Sequence, residues 1–164
     1  MSMLDGVEKK ALFDRLIKDI EKLLKEPDAR MMRDKKLLAI CKLLKDNVKY
    51  YNWVGFYLLH PKKMNRLVIG PYVGAPTEHV DIAFGQGICG QAAVKGETFV
   101  VPNVAKESNY LSCNPDVKSE IVVVIAKDGQ VVGEIDIDSH ELAPFSSEDR
   151  RFLEHISFMV RELF

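Results

Sequence analysis

Apolar residues recur at helical spacing over the first part of the chain. One face of the first predicted helix is formed by residues at intervals of four, four and three: Leu12, Leu16, Ile20 and Leu23. We expect this helix to end at Pro27, since proline cannot continue the helical hydrogen bonds. A second helix is predicted from the stripe Leu37, Cys41, Leu44 and Val48. Residues 1–48 are therefore predicted to form the N-terminal helices, with Cys41 in the core.

The pattern changes to that of strands after Tyr50. From Tyr51 to Leu59 both alternating faces are apolar and aromatic, which is typical of a central strand. The polar segment Pro61–Asn65 then predicts a turn into a second strand. Shorter elements are expected after this hairpin: strand Arg66–Tyr72, strand His79–Ile82, a short helix Cys89–Lys95 behind several glycines, and strand Phe99–Val101.

The last third of the chain predicts a long loop, a hairpin and a helix. Residues 103–118 are polar, and loops of this length are often functional. Strands are expected at Ile121–Ala126 and Val131–Asp138, joined by the turn signal Asp128-Gly129. A final helix opens at Ser146 or Ser147, with the stripe Leu153, Ile156, Val160 and Leu163.

These elements together predict one mixed α/β (α+β) domain over residues 1–164, with the sheet, pocket and last helix in 50–164. Consecutive hairpins make the sheet largely antiparallel. The terminal helices are expected on one face of the sheet, and a ligand pocket on the other, under the short helix and the long loop.

Three acids alternate along the strand Val131–Asp138. Glu134, Asp136 and Asp138 share one face because side chains alternate with period two. A solvated sheet face is one interpretation, particularly for Glu134. The other is a pocket that binds a cation or donates a proton, because aspartate is disfavoured in strands. Glu120, at the start of the preceding strand, would add a fourth carboxyl group.

Two cysteines are candidates for chemistry. Cys113 lies in the polar loop, where a thiol is either exposed by chance or serves as a nucleophile. Cys89 lies at a predicted helix start, which would stabilise a thiolate, although small-residue packing explains it equally well. The four histidines show no metal-ligand spacing, and no cofactor motif occurs, so no metal or cofactor is predicted.

Composition excludes several classes of protein. The net charge is −1, which lacks the basic footprint of nucleic-acid binding. The pairs Lys9-Lys10 and Lys35-Lys36 are interpreted as solvated helix faces. No apolar run has the length of a membrane span, and Met1–Lys10 does not have the pattern of a signal peptide. The sparse, odd set of cysteines favours a reducing, cytoplasmic location.

Five ordered motifs in this chain resemble those of free methionine-(R)-sulfoxide reductases, which are small GAF domains. The motifs are Asn52-Trp53-Val54-Gly55-Phe56-Tyr57, Gly85-Gln86-Gly87-Ile88-Cys89-Gly90, Cys113 followed by Ser119-Glu120-Ile121-Val122, Asp136-Ile137-Asp138-Ser139, and Phe145-Ser146-Ser147-Glu148-Asp149. The similarity covers roughly Tyr50 to the last residue, and it implies a GAF fold.

The resemblance also implies roles. Cys113 matches the cysteine that attacks the sulfoxide and becomes a sulfenic acid, and Cys89 matches a second family cysteine. The aromatic residues Trp53 and Tyr57 match those that line the pocket for the substrate methyl end. The acids matched to ammonium binding and to protonation of the sulfoxide oxygen are Glu120, Asp136 and Asp138. Thioredoxin or a small thiol as reductant, and a homodimer, are further implications.

One position departs from the family pattern. His79 stands where the family usually carries a third cysteine, the disulfide partner of the catalytic thiol. Two hypotheses follow: an enzyme that reduces free methionine-(R)-sulfoxide, or a non-catalytic GAF module that senses a small molecule. The site residues favour the enzyme.

Overall fold

The computed structural model describes residues 4–26, 33–112 and 114–164. Within these ranges the secondary structure consists of helices α1 (Gly6–Lys25), α2 (Arg33–Asn47), α3 (Gly87–Lys95) and α4 (Ser147–Val160), and strands β1 (Trp53–Leu59), β2 (Arg66–Val73), β3 (Asp81–Ala83), β4 (Phe99–Val101), β5 (Ser119–Lys127) and β6 (Gln130–Ser139). Pro27 lies outside the described residues. No helix in these ranges is both long enough and apolar enough to cross a membrane.

All six described strands form one antiparallel sheet in the order β3-β2-β1-β6-β5-β4. The hairpin between β5 and β6 turns at Asp128 and Gly129, whose φ angles are 53° and 77°. Positive φ at both central positions gives the backbone twist that a two-residue hairpin requires. The predicted antiparallel sheet and its Asp128-Gly129 turn are confirmed, and β1 and β6 occupy its centre.

The sheet separates two apolar layers because its strands alternate. One face of β1, β5 and β6 packs against α2 and α4, and α1 packs across α4. The opposite face packs against α3. Burial on both faces explains why β1 is apolar at almost every position. The predicted arrangement, with the terminal helices on one face and the short helix on the other, is confirmed.

A buried ion pair joins α1 to the start of α4. The Lys9 ammonium lies 2.6 Å from the Asp149 carboxylate, which also accepts hydrogen bonds from the hydroxyls of Tyr50 and Tyr51. Asp149 and Ser146 form the capping box of α4. The interpretation of Lys9 and Lys36 as solvated is therefore wrong: they are 3% and 9% exposed.

Several predicted boundaries differ from the structure by one to three residues, and three of them concern short elements or helix ends. The edge strand β3 begins at Asp81 rather than at residue 79, and α3 begins at Gly87, two residues before the predicted start. The last helix ends at Val160, and Leu163 lies in a separate 3-10 turn. These shifts are of the size expected where short elements and helix ends are read from pattern alone.

Candidate active site

Four acidic side chains converge on the α3 side of the sheet, and the strand register places them there. Asp138 of β6 is paired directly with Glu120 of β5. Asp136 lies opposite Gly55 of β1. Glu134 follows two residues away on the same face. Directly paired residues lie about 5 Å apart at their Cβ atoms, so the acids form one continuous cluster.

The acid cluster is buried, which makes the solvated-face interpretation wrong. Glu134 is 0% exposed, Asp136 and Asp138 are 5% exposed, and Glu120 is 6% exposed. Both oxygens of Glu134, and one oxygen each of Asp136 and Asp138, have no hydrogen-bond partner among the described residues. Buried polar atoms without partners are costly. They point to a group that the site is built to receive.

Burial raises the pKa of Glu134, Asp136 and Asp138 because it disfavours the charged form. Hydrogen bonding with Glu120 acts in the opposite direction on the pKa of both aspartates. Two ionised carboxylates can only accept hydrogen bonds, so a hydrogen-bonded pair must share a proton. The cluster therefore holds a proton more tightly than solvated carboxyl groups do, beside carboxylate oxygens that can take a cation.

An aromatic wall stands beside the acids. The ring of Trp53 stacks on Tyr72 with centroids 5.1 Å apart, and its indole nitrogen donates to the carbonyl of Ala75. A Cβ on Gly55 would lie 2.4 Å from the Trp53 ring. Glycine at this position therefore lets the indole lie flat over β1. Tyr57, whose hydroxyl donates to the His79 carbonyl over 2.8 Å, completes the wall.

A cavity of about 30 Å³ lies between the aromatic wall, the acids, α3 and the long loop. That volume holds only about one or two water molecules, so an amino acid would need the surrounding loops to part. Six of the predicted site residues line it: Trp53, Tyr57, Cys89, Glu120, Asp136 and Asp138. Glu134 does not line the cavity. Its role in binding the substrate stays a prediction, and its neighbours are Cys89 and Asp136.

Cys89 is the thiol placed inside the cluster. It lies in the first turn of α3, and it is 4% exposed. Burial first, and then the neighbouring acids, raise the pKa of Cys89. Of the two interpretations of Cys89, packing at the start of the helix is the one that its burial favours. Cys113 lies outside the described residues, and its predicted role stays a prediction.

The long loop is held at the cavity mouth by contacts with the turn before α3 and with His79. The side chain of Asn109 accepts from the Gly87 amide and donates to the Gly85 carbonyl, at 2.8 and 2.7 Å. His79 Nε2 lies 3.0 Å from the carbonyl oxygen of Ser112. The long loop and the segment that carries His79 therefore together cover the acids.

Comparison with known proteins places this arrangement in a family. The GAF domain family matches residues 11–161. The free methionine-R-sulfoxide reductase of Saccharomyces cerevisiae is 39% identical over 112 residues, which span 68% of this chain and 62% of the yeast protein. A crystal structure of the free methionine-R-sulfoxide reductase from Neisseria meningitidis with its substrate is 32% identical, with a TM-score of 0.88 over 100% of this chain and 93% of that one. The chain belongs to the free methionine-R-sulfoxide reductases, a family of GAF domains.

The same fold is shared with proteins described as sensors. A putative GAF sensor protein from Burkholderia vietnamiensis is 33% identical, with a TM-score of 0.83 over 94% of each chain. Membership of the family therefore does not by itself establish the activity, which depends on the residues of this chain's own site.

The cluster offers atoms that could hold a cation. Cys89 Sγ and oxygens of Glu120 and Asp136 lie within 4.8 Å of one another. A transition metal needs a thiolate and ionised carboxylates, and burial raises the pKa of Cys89 and Asp136. These residues therefore fit an ammonium group, which needs only oxygen acceptors, better than a metal ion.

Sequence reasoning missed several residues at the cavity. Gly55 is required by the Trp53 ring, and its signal was a glycine inside an otherwise apolar strand. His79 was noted only as a missing cysteine. Thr77, Tyr110 and Leu111 also line the cavity, and their loop positions carry no pattern that marks them.

Proposed function

We propose that this chain reduces free L-methionine-(R)-sulfoxide to methionine, with Cys113 as the nucleophile and a cysteine sulfenic acid as the intermediate. The buried acids with unpartnered oxygens carry this proposal, because these oxygens can bind a cationic group of a substrate close to a reactive cysteine. The family membership supports it, since relatives with the same fold are named for this reaction.

The acids explain why the substrate would be a free amino acid. Glu120, Asp136 and Asp138 line the cavity and would bind an ammonium group. A methionine sulfoxide within a polypeptide has an uncharged amide at that position, which donates one hydrogen bond rather than three and would leave an oxygen of Asp136 or Asp138 unpaired. A buried unpaired polar group costs about 1–3 kcal/mol, which discriminates against the peptide-bound residue.

The aromatic wall would bind the other end of the substrate. Trp53 and Tyr57 present ring faces and edges to the cavity, and these suit a methyl group and a polarisable sulfur. With the ammonium group held by the acids and the methyl group held by the wall, one sulfoxide epimer would direct its oxygen towards the carboxyl groups.

The chemical step transfers oxygen from the substrate sulfur to the Cys113 sulfur. The Cys113 thiolate attacks the sulfoxide sulfur while a protonated carboxyl, Asp138 or Glu120, protonates the sulfoxide oxygen. The protonated oxygen then bonds to the Cys113 sulfur as the bond between the two sulfurs breaks, and methionine is released. The net change converts thiol and sulfoxide into sulfenic acid and thioether, so the cysteine is oxidised and the substrate is reduced. The raised pKa of Asp138 favours the protonated form of this carboxyl, which the step requires.

Recycling needs two further thiol equivalents. A thiol displaces water from the sulfenic acid to form a disulfide, and a second thiol reduces that disulfide. His79 cannot supply the first thiol. We propose thioredoxin or a small thiol as the reductant, and Cys89 is the cysteine of the described cavity that could condense with Cys113. We also propose that the chain forms a homodimer, as the family resemblance implies, and sedimentation equilibrium would test this.

Mass spectrometry after one equivalent of substrate, without reductant, tests this mechanism. The expected product is either a dimedone adduct on Cys113 or a Cys89–Cys113 disulfide, and Cys113→Ser should give neither. Cys41→Ser is the matched control, because Cys41 is buried in the layer on the opposite face of the sheet. Wild-type protein without either modification would contradict the mechanism.

The second candidate function is a non-catalytic sensor. The replacement of the family's third cysteine by His79, and the likeness to the Burkholderia sensor protein, favour it. A sensor would bind free methionine or its sulfoxide, which titration calorimetry would detect, and would leave Cys113 unmodified. The same mass spectrum therefore separates the two functions.

A further inference from the structure

His79 is anchored at three points beside the cavity. Its backbone amide donates to Thr77 Oγ1 over 3.1 Å, and its carbonyl accepts from the Tyr57 hydroxyl over 2.8 Å. Its ring reaches the carbonyl oxygen of Ser112 over 3.0 Å. The backbone of His79 is thus fixed to the aromatic wall, and its side chain spans to the long loop.

The contact with Ser112 has a defined direction. A carbonyl oxygen only accepts hydrogen bonds, so Nε2 of His79 must carry the hydrogen. The accepting carbonyl belongs to the peptide bond that joins Ser112 to Cys113. Ser112 itself is exposed, while His79 is half-buried. This hydrogen bond ties the last residue before Cys113 to the cavity wall.

We propose that His79 is a positioning residue, which holds the segment from Tyr110 to Ser112 at the cavity mouth and thereby sets where the following residue meets the substrate. This inference rests on the proposed function, since it takes Cys113 as the nucleophile. Where the family pattern has a thiol that can bond covalently, this chain has a ring that makes a reversible hydrogen bond to the same loop.

Kinetics of two substitutions separate positioning from simple packing. His79→Ala removes the donor and should lower kcat about three- to tenfold, the effect of one neutral hydrogen bond. The KM should stay within about twofold, because the acids and the aromatic wall that bind substrate are untouched. His79→Gln carries an amide donor and should restore kcat to within about twofold of wild type. His155→Ala, on the exposed face of α4, is the matched control.

A measurement that needs no turnover tests the same contact. Iodoacetamide should alkylate Cys113 at a different rate in His79→Ala than in wild type, and His79→Gln should return the wild-type rate. His155→Ala should show the wild-type rate.

Two results would overturn the proposal: His79→Ala matching wild type in both kcat and alkylation rate, or His79→Gln behaving like His79→Ala in both. If wild type failed to reduce methionine sulfoxide while alkylation behaved as expected, the reductase function would fail and the positioning of the loop by His79 would stand.

Discussion

The substitution Glu134→Gln tests whether the acid cluster holds protons that the unfolded chain would release. Glu134 is fully buried, and its carboxyl oxygens have no nitrogen or oxygen partner among the described residues. Burial and the neighbouring Asp136 raise its pKa well above the ordinary value of 4.5, while the thiol of Cys89 lowers it in part. The folded protein therefore keeps this carboxyl protonated over a pH range in which the unfolded chain has lost the proton.

The sign of the pH dependence follows from proton counting. Above the unfolded pKa and below the raised folded pKa, the native state binds one more proton than the unfolded state. The free energy of unfolding must then fall as pH rises, by roughly 1 kcal/mol per pH unit for each such group. Glu134 should contribute to this loss at every pH between its unfolded pKa and its raised folded pKa, and glutamine at this position should remove that contribution.

The assay is urea denaturation of wild type and Glu134→Gln at pH 5.5, 6.5 and 7.5. The difference in unfolding free energy should grow with pH in favour of Glu134→Gln, whatever constant offset the new amide introduces. Glu97→Gln is the matched control, because Glu97 is exposed, and its difference from wild type should not change with pH. Parallel pH profiles for wild type and Glu134→Gln would show that folding does not raise the pKa of Glu134.

Three further predictions concern the cavity and the helix layer. Asp138→Asn should lower kcat/KM by about a hundredfold, the usual contribution of a general acid, and wild-type rates would rule out its role. Gly55→Ala should cost about 1–3 kcal/mol in urea denaturation, because the new methyl overlaps the Trp53 ring; an unchanged indole fluorescence and stability would contradict this. Lys9→Met should cost about 3 kcal/mol by leaving a buried carboxylate on α4 unpaired, whereas Lys10→Met on the exposed face should cost under about 1 kcal/mol.

Much of the fold could be predicted from the chain because its local signals agree with one another. The all-apolar pattern of β1, the Asp128-Gly129 turn and the capping serine of α4 each have one structural interpretation. The face shared by Asp136 and Asp138 followed from period two alone. Their burial did not, because it depends on α3 and the long loop, which cover that face only after folding.

The sequence could not predict contacts between residues far apart in the chain. Lys9 bonds to Asp149, which is 140 positions away in the chain. Without that partner in view, the adjacent lysines Lys9 and Lys10 have the pattern of a solvated helix face. His79 and Ser112 are 33 positions apart, and each lies in a loop without periodicity. Glu134 shares a sheet face with Asp136 and Asp138 but does not line the cavity. Alternation along a strand predicts the face on which a side chain lies, and not its distance from a cavity on that face.

Turnover of the two epimers of free methionine sulfoxide tests the central claim most directly. With dithiothreitol as reductant, wild-type protein should convert free L-methionine-(R)-sulfoxide to methionine and leave the S epimer and N-acetylmethionine-(R)-sulfoxide essentially unreacted. The acetyl group removes the positive charge that Glu120, Asp136 and Asp138 are proposed to bind. Equal rates on the free and acetylated substrates, or no reduction of the R epimer, would contradict the account.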